Sequence, residues 1–206
     1  MRGRNRDCVL KLTDAAQRLG ILQAEAATLL YIAARNPGLP VPRVVPAWTG
    51  ETALPLLLAD GRMIWARMLS FLPGKPLETL AVPHAVLRPV GRLVGELDRT
   101  LVGFDHPAAR DGRLIWDIRE APAARALVRH VHRHEDRALV AAALEEFIAN
   151  ALPALDRLRS QVIHNDAHGS NLLVDSESPG TLTGLVDFGD LRFGPVLFDV
   201  VVPMAD

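Results

Sequence analysis

The chain has 206 residues, of which 49% are hydrophobic, so it can bury the core of one large domain or two small ones. A net charge of −1 at pH 7 provides no field that would draw the chain to nucleic acid or an anionic membrane, so neither is expected as a partner. The single cysteine, Cys8, excludes an internal disulfide framework. The sequence has no signal-peptide pattern and no apolar run of bilayer length. We therefore expect a cytoplasmic protein.

Two elements are predicted at the start of the chain. Asp7–Thr13 alternates weakly between apolar and polar residues and predicts a strand. From about Asp14 to Arg35 the apolar residues recur at the helical period, which predicts a helix. The apolar positions on its inner face are Leu22, Leu29 and Ile32. Asn36-Pro37-Gly38 ends this helix.

A hairpin is predicted next. Thr52–Leu58 and Met63–Phe71 have strand-like patterns on either side of a short polar turn. Pro55 restricts the first of these to the edge of a sheet, because proline cannot donate a backbone hydrogen bond. The Pro- and Gly-containing turn Leu72–Pro76 is a natural boundary between two domains.

The chain after this turn has mainly helical patterns. One amphipathic stripe can begin at Pro89, which a first helical turn tolerates; its members are Val90, Leu93, Val94, Leu97 and Leu101. A second stripe is expected to end at Pro153; its members are Val140, Leu144, Phe147, Ile148 and Ala151. Between them, Arg119–Arg137 is rich in Arg and Ala and predicts a further helix with a turn near His134.

The most informative segment is the polar loop His164–Asn171, which lies between two short apolar runs. Asp187 ends the next apolar run, Leu182–Val186. This strand–loop–strand–acid order is how a hairpin brings the oxygens of Asp166, Asn171 and Asp187 to one point. Carboxylate and amide oxygens suit Mg²⁺, which usually binds together with phosphates. Phosphoryl transfer needs this layout, with an acceptor-side Asp followed by a metal-binding Asn and Asp.

The segment resembles the catalytic half of the aminoglycoside phosphotransferase family, which has a protein-kinase-like fold. The resemblance is carried by His164-x-Asp166-x-His168-x-x-Asn171 and by Val186-Asp187-Phe188-Gly189-Asp190. Gly194-Pro195 and Phe198-Asp199 are similar to a later family motif, in which Asp199 corresponds to a structural Asp. The stretches Gly38–Val45 and Phe104–Pro107 are most similar to the hydroxylysine kinase-like branch.

The resemblance implies an α+β fold of two lobes: a small, partial antiparallel sheet lobe over residues 1–72 and a mainly helical lobe over residues 73–206 that carries the catalytic hairpin. It implies ATP or GTP and Mg²⁺ as cofactors. Asp166 would be the catalytic base, and Asn171 and Asp187 would be the metal ligands. The acceptor would be a hydroxyl of a small molecule: a hydroxylysine-like amino acid, an amino alcohol or an aminoglycoside.

Lys11 and Glu25 each place a charge on an apolar face. Burying an unpaired charge is costly, so the two side chains are expected to pair across the strand and the helix. In kinase-like folds such a pair holds the α- and β-phosphates of the nucleotide. The alternative is a Lys that extends to solvent and a partly exposed Glu.

Other expected site residues come from the resemblance or from their place beside the motif. Ser70 and Leu72 would lie in the hinge whose backbone meets the adenine. His164 would hold the catalytic loop by hydrogen bonds, and His168 would lie close to the metal or phosphate. A zinc site at these two His residues is the alternative. Asp190 is either a helper of the metal site or a turn acid.

Family members have two strands and a phosphate-covering loop before the Lys strand, and several helices after the structural Asp. Residues 1–7 are too short for the former, and the chain ends soon after Asp199. We therefore expect a fragment or shortened gene product that binds ATP poorly and has reduced activity. The alternative function is a non-catalytic kinase-like module that binds nucleotide or protein, with a metal-dependent hydrolase third. The oligomeric state is not determined by the sequence.

Overall fold

A four-stranded antiparallel sheet forms the first part of the fold. It is seen in a computed structural model that describes residues 7–14, 19–80, 84–111, 114, 117–178 and 180–204. Its strands are β1 (Cys8–Asp14), β2 (Val44–Val45), β3 (Leu54–Leu57) and β4 (Met63–Ser70). The long strand β4 pairs with all of the others, and the register sets Lys11 opposite Arg67.

Strands β1 and β3 of this sheet agree with the sequence patterns. The predicted hairpin is confirmed, and β3, which contains Pro55, pairs with β4 alone among the described residues. Strand β1 also pairs with β4 alone within the described part of the chain, and Leu10 and Leu12 are each 57% exposed on it. The first sheet therefore has an apolar surface along β1 that the described residues do not cover.

Helix α1 (Leu19–Arg35) lies where a helix was predicted. Asp14 belongs to β1, and the rest of the predicted start, residues 15–18, lies outside the described residues. The predicted inner face is buried, with Leu29 and Ile32 both fully inaccessible. Glu25 is on the same buried face, so this helix brings one carboxylate into the interior.

Helix α2 (Leu87–Thr100) confirms the first predicted stripe in the second part of the chain. Pro89 lies in its first turn, where a missing N–H is tolerated. The apolar stripe is buried, with Leu97 fully inaccessible and Leu101 just beyond the helix end 1% exposed. Asp98 is also buried on this helix.

The next two helical predictions are partly wrong. Ile118–His130 forms 3₁₀ turns rather than an α-helix, because Pro122 cannot donate a hydrogen bond and none of its side chains is buried against a core. Helix α3 (His134–Glu146) does not stop the helical path at Pro153: a π turn (Phe147–Ala151) and a 3₁₀ turn (Leu152–Arg157) continue it. Pro153 lies at the start of the 3₁₀ turn, where no donor is needed.

One helix on this path meets the length and composition test for a membrane span. His134–Arg157 is 24 residues long, and an 18-residue window within it has a mean hydropathy of 1.5 and is only 6% buried. Length and composition alone are weak grounds for a membrane span, since other apolar helices meet the same test. Glu145 near its middle forms an ion pair with Arg125.

Two smaller antiparallel sheets carry the polar loop. Strand β5 (Lys75–Pro76) pairs with β7 (Leu172–Val174), which pairs with β8 (Leu182–Leu185). Strand β6 (Ser160–Ile163) pairs with β9 (Arg192–Pro195) and not with β7. The strands before and after the loop therefore belong to different sheets, and the loop crosses between them.

Helix α4 (Leu197–Met204) follows β9 and closes the described chain. Phe198 and Asp199 on it are buried, while Leu197 and Val200 are 47% and 45% exposed. The main core joins α1, α2, β7 and β8 and includes Phe188. The fold is therefore α+β, as predicted.

The segment between α1 and β2 makes a close backbone contact with strand β8. The amide of Leu185 donates to the carbonyl of Pro40 at 3.0 Å. A Cβ on Gly184 would lie 3.0 Å from that carbonyl and 2.7 Å from Leu72, so glycine is needed for this approach. The boundary at residue 72 as a limit between separate domains stays a prediction.

Replacing Leu97 with Ala should destabilise the protein by about 2–5 kcal/mol, because the fully buried side chain would leave a cavity in the main core. Chemical denaturation would measure this change. Leu139→Ala is the matched control, since Leu139 is 71% exposed and should lose little. Equal losses in the two variants would contradict the assignment of α2 to the core.

Candidate active site

The polar loop is held by a single buried carboxylate. Asp199 on α4 is fully inaccessible and accepts hydrogen bonds from the backbone amides of His164 at 2.8 Å and Asn165 at 2.6 Å. Asn165 has a φ of 67°, a left-handed conformation that non-glycine residues rarely adopt. The two bonds keep the loop in this strained turn immediately before Asp166.

His164 holds the loop from inside. Its ring is fully inaccessible, with Nε2 at 3.1 Å from the carbonyl of Val186 and Nδ1 accepting from the amide of Asp166 at 3.2 Å. Burial lowers the pKa of His164 to about 4, so the ring is neutral at physiological pH, with Nε2–H donating. Both ring nitrogens have backbone partners, which leaves neither for a zinc ion.

Asp166 and Asn171 are joined across the loop. The Nδ2 group of Asn171 donates to Oδ2 of Asp166 at 2.7 Å and to the carbonyl of the same residue at 2.8 Å. Burial raises the pKa of Asp166, and the negative charges of Asp190 and Asp187 act in the same direction. Nε2 of His168 lies 3.4 Å from Oδ1 of Asp166 and opposes this shift.

Asp187 lies just beyond the end of β8 with a φ of 64°. The ammonium of Lys11, from the first sheet, lies 2.8 Å from Oδ1 of Asp187. Burial acts to raise the pKa of Asp187, but the hydrogen bond and the charge of Lys11 outweigh it and lower the pKa. The carboxylate is therefore ionised and already paired with a cation.

Two adjoining cavities that share Lys11 and Asp187 form a cleft with a polar end and an apolar end. Lys11, Asp166, Asp187 and Asp190 line the polar end, together with Arg67. The apolar end continues from Lys11 and Asp187, and its other lining residues are Val9, Pro42, Leu69, Ser70, Phe71, Leu72, Gly74, Leu173 and Val186. The predicted hinge residues Ser70 and Leu72 are therefore in the wall of the apolar end.

The oxygens present fit a magnesium ion bound with phosphates. The contacts of Asn171 Nδ2 with Asp166 orient the amide so that Oδ1 is the group left to bind a cation, and Asp187 supplies a carboxylate. In the described ranges no group of three or more His, Cys, Asp or Glu side chains could hold a metal ion. A site of one amide and one carboxylate suits Mg²⁺, whose remaining ligands are usually phosphate oxygens and water.

The expected ion pair between Lys11 and Glu25 is not formed. Glu25, 1% exposed, pairs instead with Nη2 of Arg67 at 2.8 Å. Burial raises the pKa of Glu25, while the positive charges of Arg67 and Lys11 lower it. The physical reason is that Arg67 lies directly opposite Lys11 in the sheet and shares its inner face, and that Asp187 takes the ammonium of Lys11.

Arg67 was missed as a site residue, although a signal was available. The alternation in β4 puts Arg67 on the same face as Leu69, which is buried. Its Nε and Nη1 atoms are buried and have no hydrogen-bond partner among the described residues. The Glu25–Arg67 pair is therefore only partly satisfied by the protein.

His168 and Asp190 flank the catalytic loop. His168 contacts the hydroxyl of Ser170 through Nδ1 at 3.0 Å, which orients its ring beside Asp166. The carbonyl of Asp190 accepts from Nδ2 of Asn165 at 3.3 Å, and its side chain lines the polar end of the cleft. Both lie near the expected metal site, but their roles stay predictions.

The motif and its geometry agree with comparison to known proteins. A family model described as the phosphotransferase enzyme family matches residues 2–205. The chain belongs to this family. The resemblance drawn from the His164–Asn171 and Val186–Asp190 motifs is thereby confirmed.

Curated and structural relatives give a finer comparison. The chain is 26% identical to a hydroxylysine kinase of Mus musculus over 209 residues, covering 94% of this chain and 55% of the relative. An amicoumacin kinase solved with AMP-PNP and Ca²⁺ superposes with a TM-score of 0.66 at 16% identity, covering 97% of this chain and 57% of that one. A microcompartment-associated aminopropanol kinase superposes at 0.60 with 21% identity, covering 95% and 62%.

At these identities the structural matches show the fold alone, which is the kinase-like two-lobe fold that was predicted. The chain spans about half the length of the curated hydroxylysine kinases that it matches. The activity and substrates of the whole protein are therefore a matter of proposal.

Replacing Arg67 with Met should destabilise the protein by about 3–5 kcal/mol, because the carboxylate of Glu25 would be left buried without its cation. Equilibrium denaturation would measure the loss. Adding Glu25→Gln to the same variant should recover much of it, since no uncompensated charge would remain.

The matched control is Arg62→Met, because Arg62 pairs with Asp60 at the surface and should contribute little. Suppose that Arg67→Met and Arg62→Met lower the free energy of unfolding equally and that Lys11→Met lowers it far more. Lys11 and not Arg67 would then be the partner of Glu25.

Proposed function

We propose that this chain carries the catalytic residues of an ATP- and Mg²⁺-dependent phosphotransferase that moves the γ-phosphate to a hydroxyl of a small molecule. One observation carries this proposal: Asp166 and Asp187 line the same end of one cleft as Lys11, with Asn171 bonded to Asp166. Phosphoryl transfer depends on such positioning and charge stabilisation more than on covalent chemistry.

The apolar end of the cleft suits the adenine. It is walled by Val9, Leu69 and Leu173, and the segment Ser70–Leu72 also lines it. Lys11 lies where the apolar and polar ends meet, so its ammonium can bind the phosphates of a nucleotide placed there. Proteins of the same fold solved with AMP-PNP and with GDP support a purine nucleotide in this cleft.

Asn171 and Asp187 would hold the metal, which would neutralise charge on the phosphates. Lys11 must leave Asp187 for this to happen, because its ammonium lies 2.8 Å from the carboxylate oxygen. Lys11 already stabilises Asp187 as an anion, so this carboxylate would be charged before a metal binds. With a metal held by Asp187, the ammonium of Lys11 would be free to bind the phosphates.

Asp166 is placed to orient the acceptor hydroxyl and to accept its proton. Its Oδ2 is fixed by Asn171, and its Oδ1 faces His168 at 3.4 Å, so the carboxylate has a defined direction within the loop. The pKa of Asp166 is raised by burial, which makes this carboxylate a better proton acceptor than an exposed aspartate.

The acceptor that we favour is a hydroxylated amino acid or amino alcohol. The similarity to hydroxylysine kinases and the fold shared with an aminopropanol kinase support this class. Residues 111–160 carry acidic and basic side chains in equal number, so this region offers no strongly negative surface for a polycationic aminoglycoside. The proposal is tested by screening hydroxy amino acids, amino alcohols and aminoglycosides for phosphorylation with ATP and Mg²⁺.

In a protein with the full length of the hydroxylysine kinases that this chain matches, Asp166→Ala should reduce turnover about 10²–10⁴-fold while ATP still binds, because the variant loses the proton acceptor but keeps the nucleotide cleft. Asp187→Ala should instead weaken the binding of ATP in the presence of Mg²⁺. Steady-state kinetics and calorimetric nucleotide titration would separate these effects.

Asp156→Ala is the matched control, since Asp156 is exposed and lies outside the cleft. Equal losses of ATP affinity in the Asp166 and Asp187 variants would contradict the separate roles. Nucleotide binding without turnover of any acceptor would favour the non-catalytic module instead.

A further inference from the structure

A second buried carboxyl group lies behind the residue that holds the catalytic loop. Asp98 on α2 is 3% exposed, and its carboxyl group lies against that of Asp199, which is fully inaccessible. The carbonyl of Asp98 accepts from Nε2 of Gln161 at 2.7 Å, which joins α2 to the strand leading into the loop. The mechanism described above uses neither Asp98 nor Gln161.

Two carboxyl groups in direct contact in a protein interior cannot both be ionised, so they must share a proton. The hydrogen bonds show which group is the anion. Asp199 accepts two backbone N–H bonds, which favour its charged form, whereas Oδ1 of Asp98 has no donor among the described residues. Asp98 is therefore the protonated partner and donates to Asp199.

The surrounding charges agree with this assignment. Burial and the negative charge of Asp199 raise the pKa of Asp98 to about 8, and the positive charge of Arg159 opposes the rise. Burial raises the pKa of Asp199 only to about 6, because the amides of Asn165 and His164 stabilise its anion. Nearby His164 is neutral, so Arg159 is the cation that acts on Asp98.

We propose that Asp98 is a positioning residue: as a neutral acid it donates a hydrogen bond to Asp199 and so keeps that carboxylate aimed at the backbone amides of His164 and Asn165. The positive φ of Asn165 makes the following residue, Asp166, dependent on these two bonds. This inference rests on the proposed phosphotransferase function for its kinetic consequence, but not for its structural one.

Loss of the proton from Asp98 places two negative charges side by side in the interior. Repulsion then turns or displaces the Asp199 carboxylate and weakens its bonds to the loop. Because the pKa of Asp98 is about 8, the loop should be well ordered at neutral pH and should change as the pH rises through that value. Asp98→Asn keeps a donor towards Asp199 and cannot be deprotonated. It therefore distinguishes the effect of a negative charge at this position from the effect of side-chain shape.

The direct test is an NMR pH titration of the backbone amides of His164 and Asn165 in the wild type and in Asp98→Asn. We expect both amide signals of the wild type to shift with a midpoint near the Asp98 pKa of about 8, and those of Asp98→Asn to stay unchanged over the same range. Signals that do not titrate in the wild type, or that titrate alike in Asp98→Asn, would overturn the proposal. Asp105→Asn is the control, because Asp105 is exposed and pairs with Arg110.

Thermal unfolding gives a second measurement that needs no substrate. A carboxyl group with a raised folded-state pKa loses stabilisation as the pH rises from its unfolded value of 3.8 towards about 8. Asp98→Asn lacks this loss, so its Tm should gain on the wild type between pH 5 and about pH 8 and the difference should then level off. A constant Tm difference over that range would contradict a buried neutral Asp98.

Kinetics then distinguish this inference from the function on which it rests. In an active protein, kcat of the wild type should fall above pH 8, and Asp98→Asn should lack that fall. Asp98→Ala should lower kcat about 10²-fold at pH 7 and leave KM for ATP unchanged. If no acceptor is phosphorylated at all, the proposed function fails, while the amide titration still decides the role of Asp98. If turnover is found but Asp98→Asn keeps the alkaline fall, the positioning role fails alone.

Discussion

The bonds from the His164 and Asn165 amides to the Asp199 carboxylate are the interaction on which the site depends. They allow a non-glycine residue to hold a left-handed turn, and that turn directs Asp166 into the cleft. Water would compete with the two backbone amides for the oxygens of an exposed carboxylate. Asp199 is fully inaccessible, so its bonds to these amides have no such competitor. The cost of burying the charge is met by two amide donors and by the neighbouring acid.

The second constraint is the contact between the two parts of the fold. Lys11 belongs to the first sheet and Asp187 follows the second, so their ion pair crosses the cleft. In this pair the ammonium of Lys11 neutralises the carboxylate of Asp187. It also keeps Lys11 where the phosphates of a nucleotide would bind. Glu25 and Arg67 form a separate pair beside it, in which buried atoms of both groups have no hydrogen-bond partner among the described residues. The polar end of the cleft is thus neutralised in pairs that a nucleotide and a metal can rearrange.

Local patterns in the sequence were sufficient to predict several of the strands and helices around the loop. The apolar run Leu182–Val186 and the helical stripe of α2 depend on near neighbours, so both were predicted at the right places. The order of polar residues in the loop was enough to identify the family. The 3₁₀ turns of Ile118–His130 were missed because Ala and Arg favour helix while the absence of a buried face decides otherwise.

Contacts across the fold were harder to predict. The partner of Glu25 depends on the register between β1 and β4, which no local pattern fixes. Lys11 was expected as the partner because both charges lie on apolar faces. Asp98 follows Leu97 on the predicted stripe of α2, but its importance depends on α4, which lies far along the chain. A polar residue on a buried helical face is a signal that a partner exists, yet it does not name that partner.

The central claim is that Asn171 and Asp187 share one metal next to Asp166, and that Lys11 gives up Asp187 to it. A crystal structure with Mn²⁺ in place of Mg²⁺ and a non-hydrolysable ATP analogue, with the metal located by its anomalous signal, tests this most directly. The account predicts a metal about 2.0–2.2 Å from oxygens of Asn171 and Asp187, with the ammonium of Lys11 on the phosphates. A metal bound elsewhere, such as between His164 and His168, or a nucleotide bound while Lys11 stays on Asp187, would contradict it.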